Sequence, residues 1–139
     1  MESIFSRTEL LLGKEAVNRL SRAKVAVFGV GGVGGYVAEA LARSGIGCLE
    51  LIDKDQVSLS NINRQIIALH STIGRFKAEV MRDRIKDINP DAEVYVHNCS
   101  SEYSTFSFLI PRFFNSRRIT LASGHTLVLY ISATLKSSG

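Results

Sequence analysis

A chain of 139 residues with 45% hydrophobic and 22% charged side chains suits one ordinary domain with a real core, and excludes a disordered or collagen-like polypeptide. Its net charge of +4 is uneven: acids and bases balance through Glu102, and the excess comes from Arg112, Arg117, Arg118 and Lys136 in a tail with no acidic residue. No clustered basic face for nonspecific nucleic-acid binding is evident, and neither a membrane-length apolar run nor an export signal is present, so a soluble, cytoplasmic protein without a membrane segment is expected.

Along the chain, Ser6-Arg7-Thr8-Glu9 has the spacing of a capping box and predicts a helix start. Gly13 interrupts that helix, and Ala16, Val17 and Leu20 continue a second helical piece to Arg22. Val25-Ala26-Val27-Phe28 is a short continuous apolar run ending in glycines, the pattern of a strand buried on both faces of a parallel sheet. A helix follows from Val33, with Val37, Ala40 and Leu41 on one face and Gly45 at the expected C-terminal cap. Cys48–Ile52 reads as a second strand, Gln56–Asn63 as a polar loop, Phe76–Ile88 as a helix stopped by Asn89-Pro90, and Val94–Val96 as a third strand. Strands alternating with helices imply right-handed parallel crossovers, hence an α/β, Rossmann-like, doubly wound and mainly parallel sheet. In the tail, Phe106–Ile110 and Thr126–Ile131 read as strands without identifiable partners.

Gly29, Gly31 and Gly34, with Gly32 between them, fall between a predicted strand and a predicted helix. Glycines there allow a tight turn and close backbone approach, and the helix start offers free N–H groups to a phosphate. Asp53 closes the second strand, where a carboxylate can accept hydrogen bonds from ribose hydroxyls. These features alone also fit a nicotinamide or flavin dinucleotide. The residues beyond Asp53 discriminate: Asn61, Arg64 and Gln65, then Lys77 at a helix start, supply donors and cations suited to the larger charge of a triphosphate. His70, His97 and His125 lack metal-ligand spacing, Tyr95 and Tyr103 form no stacking pattern, and Cys48 and Cys99 form no Cys-x-x-Cys; none is assigned a role.

These residues together resemble the ThiF/MoeB/HesA group of adenylating enzymes, related to ubiquitin-activating enzymes. The resemblance spans roughly residues 5–98: Phe5-Ser6-Arg7-Thr8, Gly29–Gly34, Leu51–Asp55, Ser60–Gln65 and Gly74–Lys77, in order. Ala38–Gly47, Asn63–Ile66 and Ala68-Leu69 are most similar to the tRNA threonylcarbamoyladenosine dehydratase branch. The resemblance implies ATP with Mg2+ as cofactors and ATP-dependent adenylation of a carboxylate on modified tRNA, leading to its cyclic dehydrated form. The alternatives are adenylation of a ubiquitin-like sulfur-carrier protein's C-terminus, or an ATP-binding fragment without turnover. It further implies that Gly29, Gly31, Gly32, Gly34, Asp53 and Asp55 bind the nucleotide and that Asn61, Arg64, Gln65 and Lys77 line its phosphates. Arg7, Arg64 and Lys77 would be the catalytic residues, Arg7 acting in trans within a homodimer.

The expected organisation is an N-terminal helical arm at 1–22, an ATP-binding domain at 23–99 and an atypical tail at 100–139. The family's downstream aspartate motif and second half are absent, so the product is expected to be truncated or altered after about residue 99, with no metal-ligating residue assigned.

Overall fold

A computed structural model describes residues 3–100 and the strand at 128–132. Helices α1 (Ser6–Leu12) and α2 (Lys14–Arg22) lead into β1 (Lys24–Phe28), followed by α3 (Gly34–Arg43), β2 (Cys48–Ile52), α4 (Lys77–Ile88), β3 (Glu93–His97) and β4 (Val128–Ser132). The sheet order is β3-β2-β1-β4. The first three strands are parallel, with Val27 opposite Leu51 and Leu51 opposite Val96. This is the Rossmann-like α/β arrangement that the alternating pattern predicts.

The continuous apolar run of β1 and the strand β2, apolar apart from Glu50, end up buried on both faces, as parallel strands inside a sheet require. Val25, Val27, Leu49 and Leu51 share one core with Ala38 and Ala42 of α3 and Ala78, Met81 and Ile85 of α4. Each fully buried Leu or Ile contributes about 1.5–3 kcal/mol. The edge strand β3 is only half covered.

Three local expectations need adjustment. The Ser6 capping box does not form: Phe5 is the N-cap, Ser6 lies inside the first turn, and no side chain caps the helix. The physical reason is the Phe5 ring, which packs over Gly45 so closely that a Cβ there would lie 3.3 Å from it, and so sets where the chain enters α1. Gly45 itself caps α3 as expected, at φ +89°, a conformation that side chains with a Cβ resist. In the tail, the expected Thr126–Ile131 strand corresponds to β4, and it has a partner: it lies antiparallel along β1, with Val128 opposite Phe28. Its N–H and C=O groups close an edge that β1 would otherwise leave open. The expected Phe106–Ile110 strand, Tyr103 and His125 lie outside the described residues. Among the described residues no helix is long and apolar enough to cross a membrane.

The segment 53–76 between β2 and α4 has little regular structure, only 3₁₀ turns at Leu59–Asn61 and His70–Thr72, but it is tied down. Val57 N–H donates to Arg75 O (2.9 Å), Gly74 N–H to Val57 O (2.8 Å), and the buried Thr72 hydroxyl to Ile67 O (2.7 Å). An ordered connection this long generally carries function.

The two helices are fastened by Glu39 of α3, which accepts from Arg84 of α4 and from Arg43 Nε (2.9 Å). Arg84, more than Arg43, holds the Glu39 carboxyl below its ordinary value against the opposing effect of burial. A depressed carboxylate stabilises the fold fully above the ordinary carboxylate range, and that stability is lost as pH falls through the lowered folded value. Glu39→Gln should therefore cost about 2 kcal/mol near neutrality, with the gap from the wild type closing as the pH is lowered below about 4. Thermal unfolding across a pH series checks this; a gap that stays constant into acid contradicts it.

Candidate nucleotide-binding site

The site lies where the C-terminal ends of β1 and β2 open toward the start of α3. β1 ends at Phe28, and Gly29 turns the chain at φ +86°, which only glycine adopts without strain. Gly31, Gly32 and Val33 then lead into α3, whose first residue, Gly34, is buried. The first N–H groups of a helix lack intrahelical acceptors and carry its positive dipole end, so this turn favours an anion.

Asp53, at the end of β2, is buried and faces the turn. Its Oδ2 accepts Val30 N–H (2.7 Å), its Oδ1 accepts Asp55 N–H (2.8 Å), and its own N–H donates to His97 O (3.1 Å). Each carboxylate oxygen keeps a lone pair for a further donor such as a ribose hydroxyl. A cleft of about 200 Å³ lies alongside, lined by Gly29, Ile52, Asp53, Lys54, Asp55, Cys99 and Ser100.

The segment after Asp55 folds back over the glycine turn. The Arg64 side chain lies 3.9 Å from where a Cβ on Gly32 would be, and Gln65 Nε2 lies 3.8 Å from the same point on Gly31. The buried Asn61 shapes this turn: its Oδ1 accepts Ser58 N–H (3.0 Å), and its carbonyl accepts the N–H groups of Arg64 (3.1 Å) and Gln65 (2.9 Å). Arg64 is exposed, its Nη1 donating to Ser60 O and Asn63 Oδ1, both at 2.9 Å. Lys77 is only 7% exposed and its Nζ pairs with Asp55 Oδ2 at 3.3 Å, the anion that a buried ammonium needs. Gln65 Oε1 is buried without a hydrogen-bond partner. That amide oxygen asks for a donor such as a hydroxyl, an amino group or a water, and is no partner for a phosphate oxygen, which is an acceptor as well. The fit to a nucleotide triphosphate lies in the donor set: the glycine turn at the start of α3 beneath Arg64 and Gln65 Nε2, with the Lys77 ammonium against Asp55.

The structure thus gathers two groups of the expected residues: Gly31, Gly32, Arg64 and Gln65 at the turn, and Gly29, Asp53 and Asp55 at the cleft, with Lys77 joined to the second through Asp55. Arg7 does not join them. Phe5 sits at the C-terminal end of α3, roughly 15 Å along that helix from the glycine turn, and Arg7 follows it, exposed, on α1. Sequence reading missed Cys99 and Ser100 as lining residues. Parallel pairing of β3 with β2 carries the chain after His97 to the same sheet end as Asp53, a consequence that a strand assignment already contains. Cys48 is buried in β2, where burial raises its thiol above the ordinary value and keeps it a thiol.

The ThiF family pattern matches residues 5–114, past the end of the resemblance noted in the sequence. The chain is 57% identical over 90 residues to the tRNA threonylcarbamoyladenosine dehydratase of Bacillus subtilis (strain 168), covering 65% of this chain and 35% of that protein. It is 50% identical over 92 residues to the enzyme of that name from Escherichia coli (strain K12), covering 66% and 34%. The crystal structure of E. coli tRNA N6-threonylcarbamoyladenosine dehydratase, TcdA, in complex with ATP superposes with a TM-score of 0.75 at 43% identity, covering 77% of this chain and 44% of that one. The chain therefore spans about a third of the length of these curated relatives.

Asp53→Ala should weaken ATP binding at least about tenfold and also lower stability by about 2 kcal/mol, because it strands two N–H donors. Arg64→Ala should weaken ATP binding with little loss of stability, since its guanidinium is exposed. Calorimetric titration with ATP, paired with thermal unfolding, separates the two; wild-type affinity in Asp53→Ala contradicts the assignment.

Proposed function

The chain belongs to the ThiF family, and from that premise we propose that it binds ATP with Mg2+ and serves ATP-dependent adenylation of a carboxylate. The substrate we assign is the carboxylate of threonylcarbamoyladenosine in tRNA, which the identity to the bacterial dehydratases supports. The observation that carries this reading is the return of Arg64 and Gln65 Nε2 over Gly31 and Gly32, which sets a cation and an N–H donor beside the turn where phosphate oxygens would lie.

In the proposed reaction a carboxylate oxygen forms a bond to the α-phosphorus of ATP, the bond from that phosphorus to the α–β bridging oxygen breaks, and pyrophosphate leaves with its electron pair. The α3 amides and dipole hold phosphate oxygens, Asp53 holds the ribose, and Arg64, Lys77, Asn61 and Gln65 face the phosphates. Lys77 exchanges Asp55 for phosphate as the ligand enters. The demand is charge neutralisation and positioning, which needs no nucleophilic side chain. Among the described residues no group of three or more His, Cys, Asp or Glu is arranged to hold a metal ion. Magnesium would be held chiefly by the phosphates, with the Asp55 carboxylate, once Lys77 leaves it, as a further oxygen ligand.

We assign Arg7 to the site of a second copy in a homodimer. Its distance from its own glycine turn supports this, as does the exposure of Ile4, Leu10, Leu11 and Leu12 along the same arm.

Arg7→Ala and Lys77→Ala chains should each release pyrophosphate from ATP and threonylcarbamoyladenosine-bearing tRNA at a small fraction of the wild-type rate. Mixed, they should regain a substantial part of it, because a mixed dimer holds one site with both residues intact. No gain on mixing contradicts action in trans, and turnover with a sulfur-carrier protein but not tRNA contradicts the assigned substrate.

A further inference from the structure

We infer that Glu50 and His97 are positioning residues for the nucleotide cleft, an inference that rests on the proposed ATP binding. Glu50 is a carboxylate inside the otherwise apolar strand β2, only 5% exposed, on the sheet face away from α3 and α4. A charge there is costly unless partnered, and His97 Nε2–H of β3 donates to its Oε2 at 2.5 Å. The pair crosses the edge of the sheet at the point where β3 ends. His97 also supplies the carbonyl that accepts Asp53 N–H (3.1 Å), so its ring and its backbone bind to opposite ends of one short stretch of β2. On the other face the next residue, Asn98, donates to Glu79 of α4 (2.9 Å). Cys99 and Ser100, which line the cleft, come directly after it. The end of a half-covered edge strand is thereby pinned from both faces, and what it pins is the backbone of Asp53 and one cleft wall. Strand pairing alone does not ask for a buried Glu; fixing the strand end against the cleft does.

The test is calorimetric ATP titration of the 139-residue chain and three variants, each with its thermal midpoint. His97→Leu leaves Glu50 buried and unpaired and should both destabilise the fold and raise the Kd for ATP about three- to tenfold. The double variant Glu50→Leu/His97→Leu removes the stranded carboxylate, so its midpoint should recover while the raised Kd persists. His97→Gln keeps an N–H donor and should bind ATP within about twofold of the wild type. A double variant that binds ATP as the wild type does overturns the inference, and so does a His97→Gln variant as weak as His97→Leu. Failure of the wild-type chain itself to bind ATP overturns the nucleotide reading, and is told apart by that arm.

Discussion

The arrangement depends on one carboxylate. Asp53 accepts Val30 N–H with one oxygen and Asp55 N–H with the other, so a single side chain joins the loop after β1 to the loop after β2. Without that bridge the glycine turn and the long segment 53–76 would be separate connections over the end of a sheet. With it, the turn is held open at the start of α3, and the 53–76 segment leaves β2 in the direction that returns Arg64 and Gln65 over Gly31 and Gly32. A charged acceptor strengthens both hydrogen bonds, and burial shields them from competing water.

Around that bridge the cations are held in reserve. Lys77 is buried against Asp55, and Arg64 is folded onto its own turn through Ser60 and Asn63. The sheet contributes differently on its two sides. β2 and β3 run parallel and deliver Asp53, Cys99 and Ser100 to one end. Beyond β1, β4 runs the opposite way, so the chain enters that edge beside the glycine turn, at Val128, instead of leaving a parallel strand there. Among the described residues, the carboxylates that line the cleft are those of Asp53 and Asp55.

Much of this was legible in the residues. The apolar run at Val25–Phe28 read as a buried strand and Cys48–Ile52 as a second one, and Pro90 marked the end of α4, because burial and proline chemistry act locally. The glycine spacing and Asp53 pointed to a nucleotide and left a dinucleotide open; Asn61, Arg64, Gln65 and Lys77 carried the preference for a triphosphate. Less legible was whatever depends on distant contacts. Phe5 packs against Gly45 and overrides the Ser6 cap, β4 finds β1 across much of the chain, and His97 meets Glu50 from 47 positions away. Asn61 read as a phosphate donor, and the same side chain builds the loop, its Oδ1 shaping the turn that presents Arg64 and Gln65. No motif spacing distinguishes a residue that touches a ligand from one that builds the loop doing so.

The most direct test of the nucleotide cradle is calorimetric titration of the 139-residue chain with ATP and magnesium, with NAD as the control ligand. The structure predicts saturable binding of ATP at one site per chain and no comparable heat with NAD. Absence of ATP binding, or a clear preference for NAD, would contradict it.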